Sequence, residues 1–263
     1  MPIVVIEAVA PTSSWRPPEA QNYHPSYPLP PYTSQVGLLG AAIGLALPDA
    51  FAYVRDRELK LGVGGWHNGR MRDLWKFQKL ESIADPKKEI NHDIVLREHF
   101  VDTRLIFVIE TPSQETADQV AAAFREPKYP LTAGVSDALL HARRVSVRDE
   151  TPNPTKEFAF TLVYRDIAAN YKVDASVLES QPMMRSLQAP TTERIATGFR
   201  FNDAGSRSLA ARSLVTFIGD RIALADDDEP VDAYDVEPST SQLRRELQSW
   251  NFKTLSIPVH RYD

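Results

Sequence analysis

Residues 104–125 read RLIFVIETPSQETADQVAAAFR. The first seven, Arg104 to Glu110, predict a strand, because β-branched and aromatic residues fill it. The remainder predicts a helix with its own punctuation. Thr111 stands at the N-cap, Pro112 at the first helical position, and Gln114 three residues on completes a capping box. Ala117, Val120, Ala121 and Phe124 recur at helical spacing and form the apolar face. Pro127 ends the helix.

Working outward, a second strand-then-helix unit lies upstream. Ile3 to Val9 is a buried first strand by composition. Residues 11–32 hold Pro11, Pro17, Pro18, Pro25, Pro28, Pro30 and Pro31, which exclude a helix or a central strand. With Trp15, Tyr23, Tyr27 and Tyr32 among them, they predict a stiff, extended loop. Thr33 or Ser34 then caps a buried helix to about Leu47. Its Gly37, Gly40 and Gly44 share one face, which signals the close approach of another backbone, a sheet or a ligand. Residues 58–103 read as a long excursion, an extended hairpin with a mobile tip, from turn signals at Gly64-Gly65 and Asn68-Gly69. Downstream, 129–135 and 142–147 predict strands around a turn at Gly134. Strand, helix, excursion, strand, helix, strand is a ferredoxin-like, RRM-like split βαβ order, and it defines an α+β domain over residues 1–150.

The second part, 151–263, reads as antiparallel β. Phe158, Phe160, Leu162 and Tyr164 alternate, as do Ile195, Thr197, Phe199 and Phe201. Gly219-Asp220 predicts a tight hairpin joining 214–218 to 221–225. A short helix is expected from Ser241 to Trp250 and a last strand near Thr254 to Val259. Asp226 to Glu229 form an acidic loop whose spacing is not that of a calcium-binding EF-hand.

The 263 residues contain no cysteine, which excludes disulfides, thiolate metal sites and a cysteine nucleophile. This fits a reducing cytoplasm, the expected location. The N-terminus lacks the basic segment of a signal peptide. No stretch approaches a membrane span of roughly 18 apolar residues. The net charge of −5 is carried wholly by 219–263, with ten acids and five bases. Basic stretches lie elsewhere: Arg70, Arg72, Lys76 and Lys79 within 66–79, and Arg125, Lys128, Arg143, Arg144 and Arg148 within 125–148. Local positive potential is what a phosphate backbone responds to. Solvated faces would read the same way.

The sequence has no Walker A loop, dinucleotide fingerprint, HExxH or GxSxG. Its six histidines lack metal-ligand spacing. No catalytic set, metal or cofactor is expected. What stands out is an ordered set of segments: SWRPP at 14–18, SYPLPPYTSQVGLLGAAIG at 26–44, LREHFVD at 96–102, and REPKYPLTAGVSDAL at 125–139.

Together these resemble the CRISPR-associated protein family numbered five, of the RAMP superfamily, over residues 1–140. The resemblance implies a modified RNA-recognition fold with a thumb-like hairpin. It also implies the role of a non-catalytic Cascade subunit that caps the 5′ handle of the crRNA. Such a subunit meets a backbone subunit and a large subunit, touches target DNA indirectly through the complex, and has no membrane partner. In one subtype the family member is itself a metal-independent nuclease, for which His99, Tyr32 and Lys76 or Lys79 would be the carriers. An unrelated scaffold is a third alternative.

Residue chemistry supports RNA contact independently. Single strands are held by Arg, Lys and backbone amides on phosphates and by planes on which bases stack. Arg16 suits a phosphate or a splayed base, and Tyr27 and Tyr32 suit stacking. Trp66, His67, Arg70, Arg72, Lys76 and Lys79 interleave base-stacking rings with cations, with Arg97 and His99 at the foot of the excursion. Gly134 and Ser136 suit amide contact with an oxyanion. Against these stand plainer roles: Tyr27 as a wedge against the core, 134–136 as an ordinary turn, and the charges as solvated.

Overall fold

The computed structural model describes residues 1–79, 91–167, 171–173, 189–202, 206–248 and 253–262. The first half provides β1 (Pro2–Ser13), β2 (Tyr23–His24), α1 (Tyr32–Ile43), α2 (Leu47–Asp56), β3 (Lys60–Trp66), β4 (Gly69–Lys79), β5 (Asn91–Glu110), α3 (Gln114–Arg125) and β6 (His141–Asp149). The second half provides β7 (Asn153–Thr155), β8 (Glu157–Phe158), β9 (Thr161–Val163), β10 (Tyr171–Val173), β11 (Thr191–Phe201), β12 (Arg207–Ile218), β13 (Ile222–Leu224), β14 (Val231–Val236), α4 (Ser241–Gln248) and β15 (Leu255–Pro258). The protein is α+β, and its sheets are mostly antiparallel.

The main sheet runs β11-β12-β9-β3-β5-β1-β6, with β2 and β4 attached to β5. β1 lies between β5 and β6, with Ile6 opposite both Phe107 and Val145. Strands buried on both faces lose the polar alternation of half-exposed ones, and β1 and β5 show why. Val4, Ile6, Leu105 and Phe107 pack beneath α1 and α3, against Val36, Leu39, Val120 and Phe124. Ile3, Val5, Ile106 and Val108 point the other way, into Tyr234, Val236, Leu243, Leu247 and Ile257 of the C-terminal segment.

That segment, β14–α4–β15, forms a third layer fastened by buried polar groups. Glu7 of β1 accepts from the backbone N–H groups of Ser239 (2.6 Å) and Thr240 (3.0 Å) and from the Thr240 hydroxyl, ahead of α4. A carboxylate suits the partial positive charge of a helix N-terminus. Glu110 accepts from the Tyr234 hydroxyl at 2.7 Å and pairs with Lys60 at 2.8 Å. Trp66 donates its indole N–H to Glu246 at 3.1 Å.

Several sequence expectations are corrected. The excursion is shorter than 58–103: Leu59 and 61–66 are buried and β3 pairs β5 inside the main sheet. β4 and the first half of β5 continue beyond it as a ribbon, from Gly69 opposite Val101 to Lys79 opposite Asn91, with β2 alongside β5 at Leu96 and Arg97. The tip expected to be mobile lies outside the described residues, as does the expected helix end at Trp250. Helix α1 is preceded by Pro31 without a side-chain cap, and Gly44 ends it at φ 95° rather than lying within it. Helix α2 was not foreseen; Pro48 lies in its first turn, where a missing N–H is harmless. Ser113, not Thr111, caps α3 by accepting from the Thr116 N–H. Residues 129–135 make only an isolated bridge, Thr132 with Leu139. Gly219-Asp220 is not a hairpin turn: β12 pairs with β9 and β11, β13 with β8 and β10, so the chain changes sheets there.

Candidate nucleic-acid interface

Ser14 and Trp15, just after β1, hold the quoted segments together. Ser14 donates its N–H to the Ala133 carbonyl at 2.9 Å and its hydroxyl to the Glu98 carbonyl at 2.7 Å. Trp15 N–H donates to the Ser26 hydroxyl at 2.8 Å, and Tyr27 N–H returns to the Trp15 carbonyl at 3.0 Å. The four segments thus converge, and their residues border one groove of about 790 Å³. Arg16, Tyr27, Arg97, Gly134 and Ser136 all line it, beside Thr33 and Ser34 of α1.

The groove favours an anion. Its charged lining is Arg16, Arg97 and Arg207 against Asp137. The first turn of α1 has no acidic residue and no side-chain cap, so no carboxylate of its own offsets the positive end of the helix dipole there. Gly134 has φ 96°, and a Cβ there would lie 2.0 Å from the Ser14 carbonyl oxygen, so the turn closes only with glycine. Arg16 is exposed, with Nη1 3.0 Å from His24 Nε2. Burial, reinforced by the Arg16 charge, holds the His24 pKa below its ordinary value.

The motif at 96–102 has a distinct task for each charged residue. Arg97 bonds Asp73 at 2.6 Å and Asp137 at 3.2 Å and lies 4.8 Å over Trp75, tying the ribbon to the 134–137 turn. Glu98, buried, accepts from the Ser26 N–H at 3.1 Å and the Tyr23 hydroxyl at 3.3 Å and pairs with Arg70 at 3.3 Å. Asp102 takes the left-handed conformation, φ 56°, where the ribbon departs from the sheet, and binds Asn68 and Arg104.

The other predicted residues divide. Trp66, His67 and Arg70 line a second groove of about 830 Å³ on the far side of Tyr27. Trp66 is buried, His67 lies 4.1 Å from the Phe100 ring, and Arg70 is 5.2 Å over the same ring. Tyr27 stacks on Phe217 at 5.3 Å and is 8% exposed, the wedge geometry of its plainer alternative. Tyr32 is 1% exposed and packs edge-on against Tyr262, so it offers no stacking face. Arg72 lies 5.9 Å over Tyr23, and Lys76 is exposed on the ribbon. The side chain of Lys79 lies outside the described residues. His99 is 4% exposed, neither ring nitrogen has a partner among the described residues, and burial followed by the Arg97 charge lowers its pKa. Among the described residues no cluster of His, Asp or Glu is placed to hold a metal.

Sequence reasoning missed Trp75, Phe199 and Arg207, which also line the first groove. Trp75 was legible as part of the aromatic-and-basic stretch 66–79. The other two come from strands with no local signal of function.

A chain of a "CRISPR RNA-guided surveillance complex" shares the fold at TM-score 0.54 and 15% identity, over 94% of this chain and 99% of its own. A CRISPR protein from Archaeoglobus fulgidus aligns at TM-score 0.47 and 8% identity over 98% and 99%. No curated protein matches by sequence. The family model described as CRISPR-associated protein (Cas_Cas5) matches residues 3–201, and the chain therefore belongs to that family.

Proposed function

We propose that this chain is a non-catalytic, cytoplasmic subunit of a type I CRISPR surveillance complex, Cascade, that holds the 5′ handle of the crRNA in the first groove. The observation that carries the reading is the convergence of the four segments on one anion-favouring groove. An uncapped helix start, a glycine turn and Arg16 meet there, as a phosphate backbone requires. The strand order β6-β1-β5-β3 with α1 and α3 above it supports a ferredoxin-like N-terminal part. The face of such a sheet often stacks RNA bases. Here β14–α4–β15 covers it, which leaves the groove as the route for RNA.

The β4–β5 ribbon supports a thumb role. Leu74 and Ile94 are 65% and 54% exposed beside Arg72 and Lys76, a surface suited to RNA and a backbone subunit. The acidic C-terminal part repels RNA and suits protein partners such as the large subunit, or solvent. Absence of catalysis is supported by the burial of His99 and Tyr32. Lys76 stands on the exposed ribbon, and the side chain of Lys79, the alternative carrier, lies outside the described residues.

The test is purification with repeat-containing RNA, without metal, with and without partner subunits. The reading expects intact RNA that co-purifies with the assembly. Cleavage within the repeat by this chain alone would replace it with the processing nuclease; binding without handle preference would favour a scaffold.

A further inference from the structure

Beyond the four segments, the first groove borrows part of its wall from Leu47 of α2 and, in the second half of the chain, from Ile195, Ala196, Phe199 and Arg207 of β11 and β12. At this end the Arg207 guanidinium lies 5.0 Å over the Phe199 ring. Phe51 of α2 meets Phe199 edge-on, at 6.0 Å and 88°, and Phe201 at 6.3 Å. Phe199 is thereby braced by a neighbouring ring and carries a planar cation. Arg207 is exposed, and no carboxylate among the described residues pairs with it.

The two ends of the groove differ in chemistry. Arg16 and the 134–136 turn present N–H donors beside Trp75, whose ring already carries Arg97 at 4.8 Å and stacks on Phe77 at 5.0 Å. The Phe199 end presents a plane, an outward-facing guanidinium and the apolar walls of Leu47 and Ile195. A volume of about 790 Å³ is within the roughly 300–1,000 Å³ of small-molecule-sized sites. It suits a nucleotide or two, not a duplex.

We infer that this end is a base-stacking subsite, in which one unpaired RNA base continues the Phe199–Arg207 stack on the outer face of the guanidinium. The inference rests on the RNA-holding role proposed above and adds to it a second half-chain contribution and a division of labour. Phosphates sit at the Arg16 and Gly134 end, and one base is drawn out to the Arg207 end. Guanidinium planes stack on bases as readily as rings do, and such stacking tolerates any base. The subsite therefore fixes the path of the strand without reading its sequence.

The experiment uses the full chain and single-stranded RNA of roughly eight nucleotides, matching the 5′ end of the host crRNA and carrying one 2-aminopurine moved position by position. Neighbouring bases in a strand quench this base and a guanidinium does not, so its emission rises when it leaves them for Arg207. Wild type is expected to brighten one position strongly. Arg207→Ala should abolish that rise and weaken binding about tenfold. Arg207→Lys keeps the charge but not the plane, so it should keep the salt dependence of binding and still lose the rise. Phe199→Leu, checked for an unchanged melting temperature, should weaken the rise without altering the salt dependence. If RNA binds and Arg16→Ala weakens it, yet the Arg207 variants brighten as wild type does, the subsite is wrong and the groove reading stands. If wild type binds no RNA, both fall.

Discussion

Replacing Gly134 by alanine tests the fold and the site at once. The added Cβ would stand 2.0 Å from the Ser14 carbonyl oxygen, 2.7 Å from its carbon and 2.8 Å from Trp15 Cε3. None of these is the free end of a flexible side chain. The left-handed backbone costs a non-glycine residue about 1–2 kcal/mol, and forcing atoms into a filled space about 1–3 kcal/mol more. A destabilisation of about 2–5 kcal/mol follows if the turn stays in place. If it moves instead, Ser14 loses its 2.9 Å bond to Ala133 and the groove loses its amide wall. Urea unfolding, followed by tryptophan fluorescence, reads the first effect, and RNA binding at several salt concentrations reads the second. Gly69→Ala is the control, because nothing lies within 4 Å of its Cβ. A Gly134→Ala protein within about 0.5 kcal/mol of wild type, with unchanged RNA affinity, would refute the reasoning.

Other perturbations separate charge, scaffold and titration. Arg16→Ala should leave the melting temperature unchanged while reducing RNA affinity and lowering the salt slope by about one, measured by titration across ionic strength. Glu98→Ala removes the acceptor shared by Ser26, Tyr23 and Arg70. It should cost about 1–3 kcal/mol and speed hydrogen exchange at the Tyr27 amide, while Glu98→Gln should retain much of the protection. Burial and the Arg97 charge lower the His99 pKa below 6.5 in the folded chain. The unfolded chain therefore takes up the proton first, and this contribution to stability is full above about pH 6.5 and lost as pH falls below it. His99→Gln should flatten that part of the stability profile between about pH 5 and about pH 7.5.

The legible parts of the molecule were those written in local chemistry. Strand-plus-helix units at 3–9 and 104–125 show in apolar runs and caps, and Gly134 marks its own turn. The glycines of α1 divide: a Cβ on Gly40 would reach Ala50 of α2 at 2.7 Å, a packing contact, whereas Gly37 lines the first groove. Helix α2 was hidden because Pro48 reads as a breaker unless its place in the first turn is known. The aromatic interleaving of 66–79 pointed to the ribbon but misjudged Trp66, which faces the C-terminal layer and donates to Glu246, 180 residues away. Phe199 and Arg207 were illegible for the same reason. Their meaning comes from α2 and from the groove that the first half of the chain builds, not from their own strands.

The most direct measurement is photocrosslinking of crRNA carrying 4-thiouridine at its 5′-terminal nucleotides to the assembled complex, with the attached peptides identified by mass spectrometry. The account predicts crosslinks from the 5′ end to residues 14–16 and 132–137 of this chain, on RNA that stays uncut. Crosslinks from the 5′ end to another subunit alone, or to the face of the β4–β5 ribbon without the groove, would contradict it.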